Sequence, residues 1–131
     1  RLATIANPSP EAGISRSIQL GLEAAEAQPT LAAVLLLLGD QPLVRVETMR
    51  RLIEAWHDGA GLVIRPRYRD QPDIPGHPVL LDRLAWPLCR RVTGDRGLNG
   101  AFPAVTFIDV PGANPDIDTT ADLHLLEDRP R

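Results

Sequence analysis

The stretch LAAVLLLLGDQPLV, residues 31–44, sets a run of aliphatic side chains directly against a glycine and Asp40. A short continuous apolar run closed by glycine is typical of a strand buried on both faces, and the seven residues 32–38 are few for a helix. We therefore predict that 32–38 is the central strand of a sheet, with Val34 and Leu36 fully buried. The carboxylate that follows either stands at the mouth of a site or caps the next helix.

Helical and strand-like patterns alternate on both sides of this segment, without internal repeats or a low-complexity linker. Helices are predicted over 14–27, 46–57, 83–91 and 119–127. Further strands are predicted over 2–6, 60–68, 77–82 and 104–110. Pro66 is expected to place its strand at an edge or an end of the sheet, because proline has no N–H for the ladder. The alternation predicts one α/β domain over 1–131, a three-layer sandwich around a mostly parallel sheet.

The composition is that of an ordinary soluble protein of 131 residues, 44% of them hydrophobic and 24% charged. A net charge of −3 gives no electrostatic argument for binding nucleic acid or an anionic membrane. The sequence has no apolar stretch of about 20 residues, the length needed to span a bilayer, and no signal peptide. A single cysteine, Cys89, cannot form an internal disulfide, and we therefore predict a reducing compartment and a cytoplasmic location.

Two acidic residues stand two apart in the motif DIDTTADL, which begins at Asp116. In an extended backbone Asp116 and Asp118 project to the same side. Thr119 and Asp122 have the spacing of a capping box for the last helix, which leaves the first two acids without a structural role. Carboxylates from separated loops suit a hard cation such as Mg²⁺, so Asp40, Asp116 and Asp118 are candidate metal ligands. The alternative is that they are solvated loop acids.

The first predicted helix begins with small residues, Gly13, Ser15 and Ser17, and Gly21 follows one turn later. Exposed amides and hydroxyls at a helix N-terminus can receive an anion or the edge of a base. The same residues can equally form only a loop and a helix cap.

The motif IPGHPV places Gly76, His77 and Pro78 in a loop before a strand, where they form either a turn or part of a site. No cysteine or second histidine at ligand spacing supports zinc. Three arginines alternate along the predicted strand 60–68 and would share one face: Arg65, Arg67 and Arg69. That face could meet phosphate, or it could be a solvated edge that discourages aggregation.

Six segments taken in order resemble the molybdenum cofactor cytidylyltransferase branch of the MobA-like NTP transferases. They are NPSPEAGISRSIQLGL, LLLLGDQPLV, RPRY, GHPVLLDR, GDRG and DIDTTADL, and the resemblance covers the chain from Asn7 to Leu126. The resemblance implies a Rossmann-like, GT-A-like α/β domain. It also implies the transfer of CMP or GMP from CTP or GTP to the phosphate of molybdopterin, with Mg²⁺ as cofactor and pyrophosphate as product.

The resemblance assigns roles to the motifs described above. It implies that Asp40 and Asp118 are catalytic and bind Mg²⁺ together with Asp116. It implies that the nucleotide lies near Ser17, Gly21 and Gly39. The remaining motif implies contacts to the acceptor from Gly76, His77 and Pro78.

Two features of the family are not found in this sequence. The glycine-rich loop that wraps the triphosphate, LAAGxSxRMGxxK in outline, has no counterpart, and Asn99 stands where the family usually has arginine. We therefore expect an N-terminally truncated domain that is inactive alone and prone to self-association through an exposed sheet edge. One alternative is a non-catalytic module that binds a pterin cofactor or a molybdenum hydroxylase during maturation. Another is a related transferase acting on a sugar phosphate or phospholactate.

Overall fold

Four strands form one mixed sheet in the computed structural model, which describes residues 2–127. The strands are β1 (Ala33–Leu36), β2 (Val63–Tyr68), β3 (Val79–Asp82) and β4 (Thr106–Val110). Their order across the sheet is β1-β3-β2-β4, with β3 antiparallel to both of its neighbours and β2 parallel to β4. Three strands therefore run one way and β3 runs the other, so the prediction of a mostly parallel sheet is only partly matched.

All four predicted helices are present; one has the predicted bounds and three are shorter than predicted. They are α1 (Ile14–Glu26), α2 (Val46–His57), α3 (Trp86–Cys89) and α4 (His124–Glu127). The predicted helices 83–91 and 119–127 each consist of a 3₁₀ turn followed by a single α-helical turn. Within residues 2–127, no helix combines the length and the apolar character needed to cross a bilayer.

Helices cover both faces of the sheet and bury two apolar clusters. On one face, Ile18 and Leu22 of α1 and Trp86 of α3 pack with Val79 and Leu81 of β3. On the other face, residues of α2, β2 and β3 pack together: Leu52, Ile64 and Leu80. Successive residues of β3 thus point to opposite faces, as expected for a strand buried on both sides. The predicted three-layer α/β sandwich is confirmed.

The position of β1 in the sheet corrects one prediction. This strand lies at the edge, because no strand within residues 2–127 pairs with its outer side. Its faces are both covered as expected, since Val34 and Leu36 pack against one cluster and Ala33 and Leu35 against the other. Without a second neighbouring strand, however, Val34 and Leu36 are half-buried rather than fully buried. The predicted strand over 2–6 is also wrong, since these exposed residues have no strand partner to bond with.

Pro66 lies in an interior strand, contrary to the prediction of an edge position. β3 pairs only with Val63 and Ile64, at the beginning of β2. The N and O atoms of one strand residue point to the same side, and Pro66 O accepts from Gly76 N at 3.1 Å on the β3 side. The missing N–H of Pro66 therefore falls beyond the end of the ladder with β3, where no strand needs it.

The burial of β3 generates a prediction of stability. Leu81 is 0% exposed and Leu84, in the turn that follows, is 75% exposed. We expect Leu81→Ala to lower the free energy of unfolding by about 2–5 kcal/mol through lost apolar contacts and a cavity. The matched change Leu84→Ala should alter it by about 0.5 kcal/mol or less. Urea unfolding of the three proteins measures both values, and equal losses would contradict the assignment of β3 to the core.

Candidate functional site

The ends of three strands and the beginning of the fourth meet at one rim of the sheet. Because β3 runs opposite to the others, its first residue, Val79, lies beside Leu36, the last residue of β1. The turn before β3 lies against the second half of β2, where Gly76 contacts Pro66. A cavity of about 220 Å³ opens at this rim. Polar side chains that line it include Gln41, Arg65, Gln71, His77, Asn99, Asn114 and Asp116. In open α/β sheets, ligands bind in crevices of this kind beyond the strand ends.

The two acidic motifs are joined at this rim by a direct backbone contact. Ile117 N donates to Asp40 O at 2.8 Å, and Gln41 Nε2 donates to Asp116 Oδ1 at 2.7 Å. The loop after β1 and the loop before α4 therefore lie side by side, with the exposed residues Asp40 and Asp118 on them. Neither of these two residues lines the cavity itself. Across residues 2–127, no group of three or more His, Cys, Asp or Glu side chains is arranged to hold a metal ion.

Thr119 and Asp122 form the capping box that the sequence predicted. Thr119 N and Oγ1 both donate to Asp122 Oδ2 at 2.8 Å. These hydrogen bonds stabilise the carboxylate and hold the pKa of Asp122 below its ordinary value. Asp118 N also donates to the same oxygen, at 3.1 Å. The cap thus fixes the backbone next to Asp118 without using its carboxylate.

Position 76 requires glycine, because the backbone there lies in close contact with β2. A Cβ atom at this position would lie 2.4 Å from Pro66 O and 3.0 Å from a ring carbon of Tyr68. The next peptide bond, between His77 and Pro78, is cis. His77 O accepts from Tyr68 Oη at 2.7 Å. The three residues predicted to contact the acceptor therefore form a tight turn against β2, and Gly76 and His77 line the cavity.

Arg65 is buried at the base of this turn, whereas the sequence analysis did not predict that any of the three alternating arginines is covered. Its guanidinium donates to Gly76 O at 2.9 Å, to Pro75 O at 3.0 Å and to Asn99 Oδ1 at 3.0 Å. Burial lowers the pKa of Arg65 from its ordinary value. Arg67, two residues later, is exposed and pairs with Asp109 at 2.7 Å. The alternation of arginines was the available signal, but it did not show that the first of them is covered.

Asn114 and Gln41 are further cavity residues that the sequence analysis missed. Asn114 Nδ2 donates to Gln41 Oε1 at 2.9 Å and to His77 O at 3.3 Å. Its Oδ1 atom is buried and has no hydrogen-bond partner among the described residues. Each residue stands one or two positions from a predicted acidic ligand, Asp40 or Asp116, and that proximity was the only signal in the sequence.

The residues predicted to lie near the nucleotide are separate from the cavity. Ser17 is on the exposed face of α1, where its Oγ accepts from Asn7 Nδ2 at 3.0 Å. Gly21 lies one turn further along the same face, and a Cβ atom there would have no heavy atom within 4 Å. Gly39 is likewise exposed and unobstructed. Their assignment to nucleotide binding stays a prediction.

A helix-covered α/β sheet with polar groups gathered beyond its strand ends is the architecture of nucleotide-binding α/β domains. The chain belongs to the family of the MobA-like NTP transferase domain, whose family model matches residues 1–107. This match confirms the family that the motifs resembled. It does not distinguish the cytidylyltransferase branch, which stays a prediction. Among curated proteins, none matches the chain significantly.

Solved structures from mycobacteria have the same fold. Rv0371c from Mycobacterium tuberculosis H37Rv is 31% identical, with a TM-score of 0.68 over 86% of this chain and 58% of that one. Its complex with manganese is 32% identical, with a TM-score of 0.65 over 82% and 59%. A homolog from Mycobacterium sp. strain JC1 is 26% identical, with a TM-score of 0.67 over 84% and 55%. This chain thus spans between 55% and 59% of the length of these structures.

The environment of His77 generates a prediction about pH. Burial and the positive charge of Arg65 lower the pKa of His77 from 6.5 to about 4, against the opposing effect of Asp116 and Asp40. Between these two values the unfolded chain binds a proton at His77 that the folded chain does not. The free energy of unfolding therefore falls as the pH falls from about 6.5 to about 4.

The variant His77→Gln should lose less stability over this range than the wild type, because its unfolded state gains no proton at that position. His57→Gln, at an exposed position at the end of α2, is the control and should behave as the wild type does. Denaturant midpoints at about pH 7 and about pH 5 measure the difference. A wild-type loss identical to that of His77→Gln would show that His77 titrates normally in the folded protein.

Proposed function

We propose that this chain is part of a nucleotidyltransferase that transfers CMP or GMP from CTP or GTP to the phosphate of molybdopterin. An oxygen of the acceptor phosphate attacks the α-phosphorus of the nucleotide. The new P–O bond forms as the bond from that phosphorus to the oxygen bridging to the β-phosphate breaks, and pyrophosphate leaves. The observation that carries the proposal is the hydrogen bond from Ile117 to Asp40, which brings both acidic motifs to the rim of the cavity.

The proposed metal ligands are Asp40 and Asp118, with Asp116 beside them. Their carboxylate oxygens are suitable donors for a hard cation such as Mg²⁺ or Mn²⁺. All three residues are exposed, which suits Mg²⁺ because it keeps water and substrate phosphate among its ligands. When bound, the cation would neutralise charge on the α-phosphate and the leaving pyrophosphate. The manganese complex of Rv0371c supports a divalent cation in a related protein.

The cavity is the proposed site of the acceptor. Its wall includes Gly76 and His77, and Pro78 follows them. These are the three residues for which the family resemblance implies contacts to the acceptor. Because the pKa of His77 is lowered to about 4, its ring is neutral at physiological pH and can offer one donor and one acceptor. The nucleotide is placed on the side of Gly39 and of the α1 residues Ser17 and Gly21. The acidic loops lie between these two regions in the proposed arrangement.

A non-catalytic binding module is the second candidate function. Residues of this chain line the cavity, whereas the sequence contains no glycine-rich loop to hold a triphosphate. Binding of a pterin cofactor therefore needs only the cavity, whereas transfer also needs a site for the triphosphate. Either role would be carried out in the cytoplasm, the location predicted from the single cysteine.

A transfer assay tests whether this chain is catalytic by itself. With purified residues 1–131, CTP and molybdopterin, we expect negligible release of pyrophosphate, because no set of loop amides, arginine and lysine holds the triphosphate. Pyrophosphate is measured by a coupled assay, with the Asp40→Ala variant as the blank. Release that the wild type shows and Asp40→Ala does not would establish that this chain is catalytic by itself.

The metal site has a test that does not depend on activity. Mn²⁺ should broaden the amide NMR signals of the residues around Asp40 and Asp118, and added Mg²⁺ should reverse the broadening. Asp40→Asn should weaken Mn²⁺ binding by about tenfold or more, because it removes a charged oxygen ligand. It should leave the melting temperature unchanged, since the side chain is exposed.

Asp58→Asn is the matched control for this experiment. Asp58 is also exposed but stands at the far end of α2, away from the rim. Its replacement should leave both the affinity and the pattern of broadening as they are in the wild type. Equal Mn²⁺ affinity in the Asp40 and Asp58 variants would remove Asp40 from the metal site.

A further inference from the structure

Arg65 is a buried cation that the protein does not neutralise. The residue is 4% exposed and lines the cavity. In the part of the chain that the structure describes, the arginines that form ion pairs are others: Arg16, Arg50, Arg67 and Arg90. A buried charge without an opposite charge is strongly unfavourable unless a partner arrives. The cavity is the place from which such a partner can come.

The hydrogen bonds of Arg65 hold its guanidinium in place without cancelling its charge. They use three of its five N–H groups, and the acceptors are all neutral: Gly76 O, Pro75 O and Asn99 Oδ1. No acceptor within residues 2–127 takes the other two N–H groups. The side chain is therefore a fixed planar donor with hydrogen-bonding capacity left over, which is the form in which arginine binds phosphate and carboxylate.

Arg65 is the main charged group inside the cavity. Gln71, Asn99 and Asn114 are neutral, and His77 is uncharged at neutral pH. The acidic residue of the wall, Asp116, is at its exposed side, where Gln41 donates to it. Asn99, at the position where the resembled family usually has arginine, accepts a hydrogen bond from the guanidinium of Arg65 on β2.

We propose that Arg65 binds the phosphate monoester of a molecule that enters the cavity. This inference rests on the proposed function, in which that group is the phosphate of the acceptor. The phosphate dianion supplies the opposite charge that the protein lacks and accepts from the N–H groups that have no protein acceptor. Arg65 is then a binding residue for the substrate, and Asn99 is a positioning residue that orients it.

The test is a variant in which the protein itself carries a negative charge next to Arg65. Asn99→Asp keeps the shape of the side chain 3.0 Å from Arg65 and turns the hydrogen bond into an ion pair. We expect the variant to be at least as stable as the wild type and to bind inorganic phosphate about tenfold or more weakly. Asn7→Asp is the control. Asn7 is a half-buried loop residue that contacts Ser17 of α1, and its replacement should keep the wild-type affinity.

Phosphate binding is measured by ³¹P NMR titration, and the Nη–H signals of Arg65 in the wild type are followed at the same time, because the two N–H groups without a protein acceptor are on these nitrogens. These signals should shift with phosphate and not with an equal concentration of chloride, a result that needs no variant. Equal affinities of Asn99→Asp and Asn7→Asp, unmoved Nη–H signals, or no phosphate binding to the wild type would each overturn the inference. None of these results changes the Mn²⁺ experiment, which tests the proposed function separately.

Competition then identifies the source of the phosphate. Displacement of bound phosphate by molybdopterin and not by CMP supports the acceptor as the occupant. Displacement by CMP alone would keep the role of Arg65 as a phosphate ligand but would overturn both the acceptor assignment and the part of the inference that depends on it.

Discussion

The contact between Gly76 and Pro66 is the constraint on which the rest of the structure depends. The turn before β3 lies so close to β2 that a Cβ atom at position 76 would be 2.4 Å from Pro66 O. The hydrogen bond from Gly76 N to Pro66 O lies just beyond the end of the β2–β3 ladder, so it helps to determine where β3 starts. β3 in turn pairs with β1 along its whole length. One glycine thus helps to set the register between β2 and β3 and also lines the cavity.

The same contact determines the electrostatics of the cavity. By placing the carbonyl groups of residues 75 and 76 over Arg65, the turn provides the neutral acceptors that make its burial tolerable. Arg65 then acts on His77, whose pKa falls through burial first and through this positive charge second. The result is a polar cavity that lies next to the exposed acidic loops. The cation inside and the carboxylates at the rim are separated because they belong to different strand ends.

The sequence predicted most of the elements but not how they are arranged. α1 and α2 were located almost to the residue, because their apolar periodicity and their end signals are local. The antiparallel direction of β3 and the edge position of β1 depend on partners that no local pattern specifies. For the same reason an edge strand for Pro66 was a wrong prediction, since the missing N–H matters only on the side where a ladder continues.

Within the candidate site, the acidic residues were predictable and the residues that surround them were not. Asp40 stands out because it directly follows the most apolar segment, and Asp116 and Asp118 stand out because the capping box of Thr119 and Asp122 leaves them without a structural role. Arg65 and Asn114 have ordinary sequence neighbours, and their roles come from segments 10 or more residues away, which cover them. A charged side chain looks solvated until the turn that buries it is known. The cavity therefore joins a sequence motif typical of the family with a cation whose position is set by packing.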